Sequence, residues 1–279
     1  MSYGVNLFLW TAAYTDQKRD LIPKVKSMGF DLVEIPLDLL AQIDVPETGK
    51  LLKEVSLEVA GCAVVGPRRD LISDDGALRK AALEYFIDCV TILGSWEGTV
   101  LCGPCYSAVG KLTGESRTPE EWKRAVAGLR EIGKAACDCG VKIAVEPLNR
   151  FETYFLNTAK DALELVEEVD SPAVGIHLDT FHMNIEEKSL SQAIKTAGEK
   201  LFHVHTCEND RGTPGEGNID WDGVFEALKD IGYSGSLVIE SFVPGVKEIA
   251  RAASIWRPMA PDSDYIAREG LAFLKTRWP

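Results

Sequence analysis

Val141-Lys-Ile-Ala-Val-Glu146, Val174-Gly-Ile-His-Leu-Asp179, Leu201-Phe-His-Val-His205 and Ser236-Leu-Val-Ile-Glu240 are four short, mostly apolar runs, each closing on a residue able to bind a metal ion. The closing residues lie 33, 26 and 35 positions apart. One βα unit of an eight-fold barrel takes about 30 residues, since about 250 residues make eight of them. The spacing therefore predicts that Glu146, Asp179, His205 and Glu240 stand at the C-terminal ends of four consecutive parallel strands, the end of a barrel where active sites are built. Three carboxylates and one imidazole make a hard, mostly oxygen donor set. It suits Mn²⁺, Mg²⁺ or Co²⁺ better than the sulfur-rich sites that hold structural zinc. A lone carboxylate at a strand end is commonly a helix cap or an ion-pair partner; four ligand types at barrel spacing weigh against that reading for the set.

The rest of the chain repeats the pattern. Apolar, β-branched runs at about 4–9, 31–36, 58–64, 99–103, 141–146, 174–179, 201–205 and 236–240 read as strands buried on both faces. Helical patterns lie between them. Thr118-Pro119-Glu120-Glu121 is a helix start, with Thr as cap, Pro in the first position and Glu three residues after the cap. Thr158 with Asp161 repeats the box more weakly, and Leu78 to Leu93 is amphipathic. From Asp220 a helix places Val224, Phe225 and Leu228 on one face and stops at Gly232. Eight strands alternating with helices predict an α/β fold, a single (β/α)8 TIM barrel over 1–279, with a doubly wound open sheet as the lesser alternative. No linker or charge block divides the chain. The loops at 66–75 and 104–117, rich in Gly, Pro and Ser, fall on the predicted active face and are candidate lids.

Composition narrows the function. A chain that is 46% hydrophobic and 26% charged can bury a full core. Its net charge of -13 disfavours nucleic acid and anionic membrane as partners. The start carries no basic, apolar leader pattern, and no apolar run approaches the roughly 20 residues of a membrane span. Seven irregularly spaced cysteines fit reduced thiols, so a cytoplasmic location is expected. Cys102-Gly-Pro-Cys105 spells a redox motif, but Tyr-Ser-Ala-Val-Gly follows where that motif needs a helix, so it reads as a strand end.

On strand 7, His203 and His205 point the same way, and His205 lies nearer the mouth. His203 is then expected to be a hydrogen-bonded residue behind the ligand, and His177 a buried structural histidine. His182, just past Asp179, fits a substrate contact.

Glu146-Pro-Leu-Asn-Arg-Phe-Glu152, His177-Leu-Asp-Thr-Phe-His182-Met-Asn-Ile-Glu-Glu and His203-Val-His-Thr-Cys-Glu-Asn-Asp-Arg211-Gly-Thr-Pro-Gly-Glu-Gly resemble the ketose 3-epimerases. These are the D-tagatose, D-allulose (psicose) and L-ribulose 3-epimerases among the xylose isomerase-like barrels. The resemblance runs along essentially the whole chain and is densest over 141–257. It implies an isomerase that inverts C3 of a free 2-ketose. It implies one divalent ion, Mn²⁺ in preference to Co²⁺ or Mg²⁺, on Glu146, Asp179, His205 and Glu240. Glu146 and Glu240 would also be the acid/base pair, and Glu152, His182 and Arg211 would bind substrate oxygens near C1 to C3. A homodimer or homotetramer is implied as well.

The chemistry agrees with that assignment. Inverting C3 needs a proton removed beside the C2 carbonyl, an enediolate stabilised, and a proton returned on the opposite face. A cation at O2 and O3 supplies the stabilisation, and two flanking carboxylates supply the proton transfers. Arg211 offers a rigid donor fork to oxyanion charge. Asn6, Phe8 and Trp10 are expected on one face of strand 1. Phe242 should share the side of Glu240, so Phe8 and Phe242 are candidate apolar contacts, while Asn6 is polar where the family favours aromatics.

Other functions remain open on the same barrel: an aldose–ketose isomerase such as hydroxypyruvate isomerase, or a keto-sugar dehydratase. An endonuclease IV type of barrel needs more histidines than the four present. A non-catalytic sugar binder would not need paired carboxylates on a metal.

Overall fold

A computed structural model describes residues 1–278. Eight strands, β1 (Tyr3–Asn6), β2 (Leu32–Pro36), β3 (Glu58–Cys62), β4 (Val100–Gly103), β5 (Lys142–Val145), β6 (Val174–Asp179), β7 (Leu201–Thr206) and β8 (Leu237–Ile239), form one closed barrel in chain order. Every pairing is parallel, and Tyr3, Gly4 and Val5 lie against Leu237, Val238 and Ile239 to close the ring. The open-sheet alternative is thereby excluded. Nearly all strand residues are buried, as strands covered inside and out must be.

The helices begin where capping chemistry places them. Thr118 and Glu121 form a reciprocal capping box at Pro119–Cys139, and Thr158 accepts from the Asp161 amide at Ala159–Val169. Asp220 caps Trp221–Asp230, whose Val224, Phe225 and Leu228 are buried. The stretch containing Leu78 to Leu93 is the helix Gly76–Ser95.

Two expectations need correction. β1 ends at Asn6 rather than at 9, because the Asn6 side chain accepts from the Phe8 amide at 2.8 Å and caps a 3-10 turn over Leu7–Leu9. Phe8 and Trp10 therefore diverge: Phe8 packs with Cys62, Cys102 and Phe242, whereas Trp10 donates its indole N–H to Asp264. β3 ends at Cys62, two residues early.

At the end of β4, Gly103 has φ 121°, and a Cβ there would lie 2.5 Å from the Ala63 carbonyl oxygen. Only glycine fits that turn. No helix starts at Cys105, and all seven cysteines are free. The lid expectation also narrows. Cys105, Tyr106, Leu71 and Ile72 are buried, Tyr106 donates to the Glu146 carbonyl, and Lys111 joins the two loops through Asp70 at 2.9 Å. The ends of the first loop, at Gly66–Arg68 and Asp74–Asp75, and the second loop beyond Val109 stay largely exposed.

Among the described residues no helix is long and apolar enough to cross a membrane.

Candidate active site

Glu146 directly follows β5, Asp179 is the last residue of β6, His205 is next to last in β7, and Glu240 directly follows β8. Register puts Asp179 beside His205. One donor atom from each of the four lies within 4.8 Å of the others, and all four side chains are buried. The four residues expected at the rim are thus brought together.

Asp179 serves two purposes at once. One oxygen accepts from the Phe181 amide at 2.7 Å and caps the helix Thr180–Glu186; the other faces the cluster. The capping explanation holds for this residue without removing it from the site.

The donor set fits a cation. Glu146 Oε1 and His205 Nδ1 are buried without a hydrogen-bond partner, although such groups are nearly always satisfied. His205 Nδ1 lies 3.3 Å from Glu240 Oε2 and 3.8 Å from Asp179 Oδ2. A divalent ion among these atoms would satisfy both orphans and offset three carboxylate charges.

Glu34, in the middle of β2, was not singled out from sequence, and it sits directly beneath the cluster. It is fully buried, and its oxygens meet His203 Nε2 at 2.6 Å and His205 Nε2 at 2.8 Å. With His205 Nε2 donating to Glu34, the Nδ1 lone pair is left for the cluster, the arrangement that orients metal-binding histidines. Asn6 donates to Glu34 at 2.6 Å and to Glu240 at 3.3 Å, so it ties the floor to the rim rather than lining the pocket. A charged residue inside the apolar run Leu32-Val-Glu34-Ile-Pro36 was the available signal. His203 lies behind the ligand as expected. His177 is buried as expected, but neither ring nitrogen has a partner; Nδ1 stands 3.6 Å from Glu146.

Arg211 is buried between the Phe181 and Phe242 rings, at 4.3 and 4.9 Å from their centroids. Its backbone is left-handed, φ 65°, which costs about 1–2 kcal/mol for a residue with a Cβ. Bonds from its amide to the Glu208 carbonyl and to its carbonyl from the Phe242 amide hold it there. Glu208 is a second residue missed from sequence. Buried, it accepts from the Gly215 and Ile219 amides and the Trp221 indole, and so fixes the loop carrying Arg211. Arg211 Nη1 donates to Asp179 at 2.5 Å and to Glu240 at 3.0 Å, so it touches two of the four cluster residues themselves. Its other nitrogen reaches His182 Nε2 at 2.9 Å, while the Asn149 amide donates to His182 Nδ1 at 3.1 Å. Burial, then Arg211's charge, keeps His182 well below its ordinary pKa. A neutral imidazole has one lone pair, so the two donors compete for it.

Charge is distributed unequally across the cluster. Burial, reinforced by Glu240, pushes the Glu146 carboxyl well up. Burial would raise Glu240 too, but His205 and Arg211 outweigh it and hold Glu240 below the usual range. Burial lowers His205, yet Glu34 and Glu240 lift it well above its ordinary value, so a cation at Nδ1 competes with a proton. Two carboxyls pushed apart in this way suit one proton donor and one acceptor.

A cavity of ≈ 240 Å³ opens over the cluster, lined by Glu146, Glu152, His182, Arg211, Glu240, Phe8 and Phe242 among others. All nine residues expected in the site are accounted for, seven in the cavity wall and Asp179 and His205 beneath it. A larger hollow at the N-terminal end of the barrel contains none of them.

Residues 22–277 match the sequence model of the xylose isomerase-like TIM barrel family. A probable ketose 3-epimerase of Synechocystis sp. is 34% identical over 99% of this chain and 96% of its own length. An L-ribulose 3-epimerase of Methylomonas sp. is 34% identical over 100% and 98%. The crystal structure of a D-allulose 3-epimerase from Methylomonas sp. in complex with D-allulose superposes with a TM-score of 0.95 at 33% identity, covering 100% of this chain and 97% of that one. The chain belongs to the xylose isomerase-like TIM barrels. Within them it falls among the ketose 3-epimerases, enzymes of the isomerase class.

Proposed function

We propose that the protein is a metal-dependent epimerase that inverts C3 of free 2-ketoses such as D-fructose/D-allulose, D-tagatose or L-ribulose. The observation carrying this reading is the pair Glu146 and Glu240, at the ends of β5 and β8, in a buried cluster whose unpartnered ligand atoms, Glu146 Oε1 and His205 Nδ1, call for a cation. Glu146, Asp179, His205 and Glu240 are the proposed ligands. Mn²⁺ is the proposed ion, ahead of Co²⁺ and Mg²⁺, from the family resemblance, and a mostly oxygen donor set with one imidazole is compatible with it. When bound, such an ion supplies Lewis-acid stabilisation of charge on the ketose oxygens.

The chain's own residues do the rest. One carboxylate of the pair removes the C3 proton, and the other returns a proton to the opposite face. Arg211, Glu152 and His182 hold the oxygens near C1 to C3, Arg211 also facing developing negative charge. Phe8 and Phe242 exclude water from the carbanionic carbon.

The barrel and its helices run from Tyr3 to Arg277, which supports one domain over the whole chain. A cytoplasmic location is proposed from the seven free cysteines, and a homodimer or homotetramer from the family.

The test is product analysis with chelator-stripped and Mn²⁺-restored protein on a panel of 2-ketohexoses and 2-ketopentoses. A C3-epimeric ketose formed only with metal is expected. An aldose product would move the chain to the isomerases, and turnover undiminished by stripping would overturn the metal role.

A further inference from the structure

The catalytic cavity is lopsided. Its other ionisable residues, Glu146, Glu152, His182, Arg211 and Glu240, follow β5 to β8 on one side of the ring, while the side that follows β1 to β4, with Phe8, Val64, Pro104 and Val109, is apolar. One carboxylate interrupts that apolar wall: Asp38, in the loop after β2.

Asp38 is half-buried, and among the described residues no donor bonds to its side chain; the one opposing charge it feels is Arg69. Burial outweighs Arg69 and pushes its carboxyl up to about 6. Its charge acts on Tyr85 and Cys89, on the outer side, whereas the charges that act most on Glu146, Glu152 and Glu240 come from one another and their neighbours. By strand order the loop after β2 lies across the ring from the loops after β6 and β7, which carry His182 and Arg211, and Asp38 also borders an outer groove with Arg69 and Tyr85. The Asp38 oxygens reach solvent and carry no protein donor, so they are free to accept from an incoming group. In a cavity read as a ketose site, what arrives is a hydroxyl group.

We propose that Asp38 is a specificity-determining residue that accepts a hydrogen bond from the terminal hydroxyl of a ketohexose whose C1–C3 end lies on Glu152, His182 and Arg211. The proposal rests on the epimerase reading above. It follows from the opposition of the two walls: a sugar anchored at C1–C3 on the ionisable wall directs its tail toward the β2 loop. The surrounding apolar side chains leave Asp38 as the acceptor there.

The experiment compares the Mn²⁺-loaded unaltered protein, Asp38→Ala and Asp38→Asn on D-fructose and 6-deoxy-D-fructose. Losing a hydrogen bond to a charged acceptor reduces kcat/KM roughly 10-fold or more. Asp38→Ala should lose that much on D-fructose, mainly through KM, and stay within about twofold on the 6-deoxy sugar. Asp38→Asn, which keeps an acceptor oxygen and the volume, should lose less. Equal proportional losses on both sugars, or no loss on either, would overturn the assignment while leaving the epimerase reading intact. Absence of C3 epimerisation by the unaltered protein would overturn that reading, and this one with it.

Discussion

The two halves of the barrel carry different kinds of residue. β5 to β8 and the loops after them supply Glu146, Asp179, His205, Glu240, Glu152, His182 and Arg211. β1 to β4 supply packing, Phe8, Cys62 and Cys102, together with two carboxylates, Glu34 bonded beneath the cluster and Asp38 in the cavity wall. The difference teaches a division of labour within one ring of strands. The second half presents reactive groups at strand ends, where a one-residue change of register would turn each away. The first half holds those groups from below and shapes the cavity facing them.

The comparison breaks most completely if chemistry survives loss of the reactive half. Glu240→Gln keeps the shape but removes the base, and should cut kcat by about 10²–10⁴-fold when measured at Mn²⁺ concentrations that saturate the variant. Epimerisation at more than a few per cent of the unaltered rate would remove Glu240 from the acid/base pair.

A change in the supporting half should act through the metal. Glu34→Gln weakens the hold on His205 Nε2, and should lower Mn²⁺ affinity about 10–100-fold by titration calorimetry while leaving the fold intact by circular dichroism. Unchanged affinity would make Glu34 a packing residue only.

Arg211→Ala sharpens the boundary between metal and substrate. It should reduce kcat/KM for ketoses by about tenfold. Mn²⁺ affinity should not fall, because the guanidinium competes for Asp179 and Glu240. A large loss of metal binding would show that Arg211 organises the ligands instead.

The smallest effect concerns stability. The Asp38 carboxyl, raised by burial to about 6, stands above its unfolded value. Its favourable contribution is therefore complete below about pH 4 and is lost as pH rises through about 6. Asp38→Asn at pH 8 should gain roughly 1–2 kcal/mol, a few degrees in Tm, and at pH 4 nearly nothing. The same shift at both pH values would mean that Asp38 is not desolvated.

The reactive half was legible because its residues punctuate strands at a regular interval: apolar runs fixed the spacing, and each ligand type stood at a run's end. The supporting half was harder to read. Glu34 lies within a run, where a single acid breaks no period, and only its partners on β7, 169 and 171 positions away, reveal what it does. In the linear chain Glu208 is one more polar loop residue; only the donors that converge on its carboxylate in the fold mark it out. A strand continuing past Asn6 would set Asn6, Phe8 and Trp10 on one face, whereas the Asn6 side chain itself ends β1. Asp38 follows β2 in an otherwise apolar stretch, and nothing in the linear chain says that it faces a cavity.

The most direct test of the division is to incubate the Mn²⁺-restored protein with D-fructose in D₂O and locate the label by NMR. Deuterium at C3 of both the returned ketose and its C3 epimer, absent after stripping the metal, is the expected result. Deuterium at C1 with an aldose product, or C3 inversion without any label under conditions where solvent exchanges freely, would contradict proton transfer through Glu146 and Glu240.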